Sequence, residues 1–128
     1  QDGNIRLIMK EFPILSRESE MAARAAVASV NQGKYWDFHL ALMQAEEITP
    51  ESIMAIAKSV GLNTEKLAAD MASPQAADVI NRNHALAQKL GIEATPTFYI
   101  GDTPYSGALP LSELKDAVAA ARKAKKEG

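Results

Sequence analysis

The sequence predicts an α/β fold in which a small sheet carries a large helical insertion. Three observations predict it. A short apolar run, Ile5 to Phe12, opens the chain and is stopped by Pro13. An alanine-rich stretch then reads as helix as far as Gly91. A β-rich hairpin and one amphipathic helix close the chain. Two strand regions separated by that much helix suggest a sheet interrupted by an inserted helical layer.

Each element has its own local signal. The first run follows a turn-prone Asp2-Gly3-Asn4. Ser16 or Ser19 caps a helix running to about Gln32, which Gly33 closes. A second helix, from about Lys34 to Gln44, carries Tyr35, Phe38 and Leu42 on one face. Thr49-Pro50-Glu51 supplies a cap, a first-turn proline and an early acid for a helix that ends at Gly61. Asn63 or Thr64 opens a short helix to about Met71, and Ser73-Pro74 opens a long one to Leu90. Thr97 to Ile100, a turn at Gly101 to Pro104, and Tyr105-Ser106 read as a hairpin bent at Gly107. Leu111, Leu114, Val118 and Ala121 then step by three or four along the last helix.

Composition narrows the function. The chain has 128 residues, 47% of them apolar and 23% charged, the proportions of one globular domain. Its net charge of −2 carries no basic field for nucleic acid. No apolar run approaches the ~18 residues of a membrane span. There is no cysteine, so these residues supply neither a disulfide, nor a thiolate metal site, nor a cysteine nucleophile. The start carries neither an initiator Met nor a leader, and a preceding segment is expected.

The most informative cluster is Gly91-Ile92-Glu93-Ala94-Thr95-Pro96-Thr97-Phe98. A proline directly before a β run cannot donate to a ladder, so it sits at the strand's entrance. Together with Tyr105-Ser106-Gly107-Ala108 and Pro110-Leu111, this segment resembles the closing half of DsbA-type thiol–disulfide oxidoreductases. Upstream, Lys10-Glu11-Phe12-Pro13-Ile14-Leu15 and Gly33-Lys34-Tyr35-Trp36-Asp37-Phe38-His39 are similar to that family's post-strand loop and second inserted helix. The ordered set, over essentially the whole chain, carries the resemblance.

What the resemblance implies is a thioredoxin-like sheet with an inserted multi-helix domain. Residues 1–15 would hold a sheet strand, 16–91 the helical insertion, and 92–128 the hairpin and C-terminal helix. Thr95 and Pro96 take the positions of the substrate-binding cis-proline loop, and the Thr95–Pro96 bond is expected to be cis. Lys10 and Glu11 are candidates for the charged group that assists proton transfer. The family's first strand and Cys-X-X-Cys helix would lie before Gln1, so no catalytic residue falls in this chain and it is expected to be inactive alone. The implied partners are thiol- or disulfide-containing polypeptides and a redox partner protein, with no nucleic acid and no cofactor. A dimer or strand exchange is expected through the sheet edge left open. The implied setting is the periplasm or another extracytoplasmic space.

Two other readings compete. One is a kappa-type glutathione-transferase-like enzyme, which shares the inserted fold but uses a serine. The other is a non-catalytic thioredoxin-fold module that binds extended peptides. The remaining residues give weaker signals. His39 and His84 lie far apart without well-spaced ligands, so they read as surface or boundary histidines and no metal site is expected. Tyr35, Trp36 and Phe38 read as core before substrate groove. The adjacent Glu46-Glu47 pair does not suit a two-carboxylate hydrolase, whose acids converge across a cleft.

Overall fold

A computed structural model describes residues 4–127 of the chain. Its elements are α1 (Arg17–Ser29), a 3-10 turn (Val30–Gln32), α2 (Tyr35–Met43), α3 (Pro50–Ser59), α4 (Thr64–Met71), α5 (Pro74–Leu90), β1 (Thr97–Ile100), β2 (Thr103–Ser106) and α6 (Leu111–Glu127). They fall into two compact units, Gln1–Leu86 and Ala87–Gly128, divided within α5.

Helix starts in the first unit follow side-chain chemistry. The first amides of a helix have no carbonyl behind them, and a short polar side chain fills the gap. Ser16 Oγ accepts from the Ser19 amide at 3.1 Å, so Ser16 is the cap of α1. Thr49 and Ser52 cap α3 reciprocally: each backbone N–H donates to the other's hydroxyl, at 2.8 and 3.0 Å. Asn63 Oδ1 accepts from the Lys66 amide at 3.0 Å and opens α4. Gln32 ties the turn after α1 to that cap, donating to the Asn63 carbonyl and accepting from its amide.

The core of this unit sits between helices. Phe38 and Leu42 of α2, Ile53 and Ala57 of α3 and Leu67 of α4 close on Ala25, Ala26 and Ala28 of α1. Small residues on α1 let three neighbours approach it, and α1 packs against α2, α3 and α4. The face named by Tyr35, Phe38 and Leu42 is thus the packed face of α2, with Phe38 fully buried. Trp36 departs from the core reading. It lies off that face and keeps 48% of its surface exposed.

Residues 4–14 form no helix or strand, so the strand expected over Ile5 to Phe12 is corrected to an irregular run, exposed through Lys10. A strand is held by its ladder and its cross-strand pairs, not by composition alone. Among the described residues the sheet contains β1 and β2 and no third strand to supply that ladder.

In the second unit, Gly91 takes a left-handed φ of 71° and ends α5, while the Ile92 amide returns to the Ala87 carbonyl at 2.8 Å. β1 and β2 pair antiparallel, with Thr97 opposite Ser106 and Ile100 opposite Thr103. Gly101 turns the hairpin at φ 63°, and a Cβ there would meet the Ala121 Cβ at 3.1 Å. The glycine therefore serves both the turn and the close approach of α6, which packs on β1.

Candidate functional site

In the first unit, Tyr35 and His39 gather around Glu11. The chain reaches this position from an exposed segment and becomes half-buried at Glu11, Phe12 and Pro13. Asn83 of α5 holds the backbone there, donating Nδ2–H to the Glu11 carbonyl at 2.9 Å. Phe12 adds an edge-on ring contact to His84 at 5.0 Å between centroids. Lys10, one residue earlier, stays exposed. Of the two charges singled out in the sequence, the structure thus builds an environment around Glu11.

That environment comes from one face of α2. Tyr35 and His39 are four residues apart and therefore neighbours on the helix surface. The Tyr35 hydroxyl donates to Glu11 Oε1 at 2.5 Å, and His39 Nδ1 lies 3.5 Å from the same oxygen. The His39 ring stacks on Tyr35 at 5.6 Å and on Trp36 at 5.7 Å. Both the histidine and the carboxylate are largely covered, at 13% and 18% side-chain exposure. Sequence reading classed His39 as a surface or boundary residue, and the boundary is where it lies. Its partnership with Glu11 was missed. The i, i+4 spacing of Tyr35 and His39 was the available signal.

Burial raises the Tyr35 phenol well above its ordinary value of 10.0, and the hydrogen bond to Glu11 and the nearby negative charge raise it further. The sign follows directly. A group whose protonated form is favoured by folding contributes stability that is complete below its unfolded value and is lost above it. One of the three tyrosines should therefore remain protonated on alkaline titration well past pH 10. Phenolate absorbance should show that late component, and Tyr35→Phe should remove it. A late component surviving in Tyr35→Phe would contradict the assignment.

Beside this cluster lies an open groove of about 540 Å³, lined by Arg6, Leu7, Ile8, Met9, Val30, Tyr35 and Trp36. A second, of about 500 Å³, lies between α3 and α4 along Met54, Lys58 and Glu65. Among the described residues no three His, Cys, Asp or Glu side chains gather as metal ligands. No helix among them is long and apolar enough to cross a membrane.

In the second unit, Thr95 and Pro96 lie in an exposed loop between α5 and β1, joined by a cis peptide bond. The loop is braced at both ends. Thr97 Oγ1 donates to the Ala94 carbonyl at 2.7 Å, and the Gly107 amide donates to the Pro96 carbonyl at 2.8 Å. A short loop tied to both strands of a hairpin presents its backbone in a fixed geometry.

Comparison with known proteins places these features in a family. The structure of a thioredoxin-like oxidoreductase from Silicibacter pomeroyi DSS-3 matches with a TM-score of 0.91 at 46% identity, covering 95% of this chain and 71% of that one. The thiol-disulfide exchange protein alpha-DsbA2 from Wolbachia pipientis gives 0.84 at 33% identity, covering 93% and 67%. A Na(+)/H(+) antiporter, NhaA 3 of Salinispora tropica, is 26% identical over 121 residues, 92% of this chain and 19% of the antiporter. The chain therefore spans about a fifth of the length of the antiporters it matches. The fold is thioredoxin-like, rich in helix and small in sheet, as in the two solved structures. A sequence model of the thioredoxin family matches residues 1–120, and the chain belongs to that family.

Proposed function

We propose that this chain is part of a thiol–disulfide oxidoreductase that exchanges disulfides with polypeptide substrates and with a redox partner protein in an extracytoplasmic, periplasm-like space. The observation that carries the reading is the likeness to the S. pomeroyi oxidoreductase across nearly the whole chain. Residues 16–91 act as the helical insertion, followed at 92–128 by the hairpin and the last helix. Disulfide exchange needs a thiolate that attacks a sulfur, and these 128 residues hold no cysteine. What they contribute is a surface for the substrate backbone and a charge near the chemistry.

Thr95 and Pro96 are the substrate-binding pair. Support comes from their exposure and from the braces at Ala94–Thr97 and Pro96–Gly107, which fix the loop before a peptide arrives. Glu11, rather than Lys10, is the proton-transfer group. Its carboxylate is already held by one hydroxyl and one imidazole, while Lys10 is exposed. No observation favours the glutathione-transferase-like reading or the purely peptide-binding one.

The test is amide mapping by NMR with a short peptide closed by an internal disulfide. Shifts are expected at Ala94, Thr95, Thr97 and Phe98. Shifts confined to the α3–α4 groove, or none at millimolar peptide, would overturn the assignment of the loop.

A further inference from the structure

We propose that Tyr35 and His39 are positioning residues that commit one oxygen of the Glu11 carboxylate, Oε1, so that Oε2 is the atom that takes the proton. The proposal rests on the reading of Glu11 as the proton-transfer group and adds how the chain prepares it. A carboxylate oxygen offers two lone-pair directions. On Glu11 both donors address Oε1, the Tyr35 hydroxyl from one side chain and His39 Nδ1 from the other. The Tyr35 bond has the 2.5 Å length of a hydroxyl donating to an ionised carboxylate. The His39 contact is longer, at 3.5 Å, so His39 orients the oxygen more than it binds it.

Two helices build this frame. Asn83 of α5 fixes the Glu11 carbonyl at 2.9 Å, while α2 holds the side chain. The His39 ring is itself fixed in its plane, at 18° to the Tyr35 ring and 16° to the Trp36 ring. A neutral imidazole carries one N–H and one bare lone pair. A lone pair at Nδ1 would repel the carboxylate, so neutral His39 carries its hydrogen there.

The step so prepared moves one proton and no electrons. The S–H bond of an exchanging thiol breaks, an O–H bond forms at Oε2, and a thiolate and a neutral carboxylic acid result. Glu11 returns the same proton to the thiolate that later departs. Because Oε1 keeps its donors throughout, the carboxyl group does not have to turn between the two transfers.

NMR of the full chain tests each part. At about pH 9, where an ordinary imidazole is neutral, the ring nitrogens of His39 should show the Nδ1–H tautomer. Glu11→Ala should return His39 to the Nε2–H form and leave His84, the other histidine, unchanged. Couplings along the Glu11 side chain should report one rotamer in the wild type and in His39→Asn, whose amide can donate near the Nδ1 position. In His39→Leu they should collapse to an average of rotamers. Leucine fills the space better than asparagine, so a packing role for His39 predicts the opposite order. As Glu11 protonates on acidification, the Tyr35 Cζ shift should move far less than it does in Glu11→Ala, because Oε1 still accepts from the hydroxyl. An Nε2–H tautomer in the wild type overturns the proposal, as does a Glu11 equally ordered in His39→Leu. A Tyr35 shift as large as that in Glu11→Ala overturns the assignment of Oε2. If His39→Leu fails to fold, the wild-type tautomer and the Tyr35 shift decide alone. None of these readouts involves a thiol or a peptide, so the positioning of Glu11 and its proposed part in exchange fail separately.

Discussion

Phe38→Ala should unfold the first unit at ambient temperature or leave it barely stable. Phe38 is fully buried in the core that α2 shares with α1 and α3, and truncating it removes a ring at the centre of that core. Losses of about 3–5 kcal/mol accompany such truncations, through lost burial and the cavity left behind. A domain holds only about 5–15 kcal/mol in total, and a small one lies toward the lower end. Urea unfolding followed by helical circular dichroism should show a collapsed midpoint. Trp36→Ala is the control. It removes an aromatic residue two positions away that lies on the exposed side of the same helix, and the midpoint should move far less. Equal losses in the two variants would mean that the packed face of α2 is wrongly assigned.

Insulin reduction by dithiothreitol should proceed at the same rate with or without these 128 residues. Exchange begins with a thiolate, and no residue of the chain can become one. Even with a peptide bound at the exposed Thr95–Pro96 loop, as proposed, holding a disulfide does not break it. The expected effect is complete: no turnover above the uncatalysed thiol rate, at any concentration of the chain. Acceleration would require some chemistry other than thiolate attack and would remove the basis of the proposed function.

Most of the helical architecture was legible because its signals are local. Ser16, Thr49-Pro50 and Asn63 mark helix starts through hydrogen bonds three residues long, and Gly33, Gly61 and Gly91 mark the ends by positive φ. The hairpin was legible for the same reason, through Gly101 and its flanking β-formers. Two of the features that were not legible depend on distance along the chain. The 5–12 run has the composition of a strand, but whether it becomes one is decided by a neighbour that composition does not reveal. Glu11 finds its partners 24 and 28 positions onward, in Tyr35 and His39, and no local pattern announces a contact of that span. The expected core role of Trp36 failed on angle: one step from Tyr35 around the helix turns a side chain by about 100°. That is enough to leave the packed face.

The alanines at the centre of the first unit make its tolerance to substitution lopsided. Ala25, Ala26 and Ala28 have almost nothing to lose by truncation, yet each is closed in by its neighbours. Enlarging any of them to valine or leucine would push α2, α3 or α4 outward, a strain of about 1–3 kcal/mol or more per site. The surrounding Phe38, Ile53 and Leu67 behave in the opposite way, suffering when shrunk and having no room to grow. Sequence drift in this unit should therefore be coupled: an alanine on α1 can grow only after a large residue facing it has become smaller. Related chains that diverge here should do so by exchanging volume between helices, keeping the sum constant while the individual positions change.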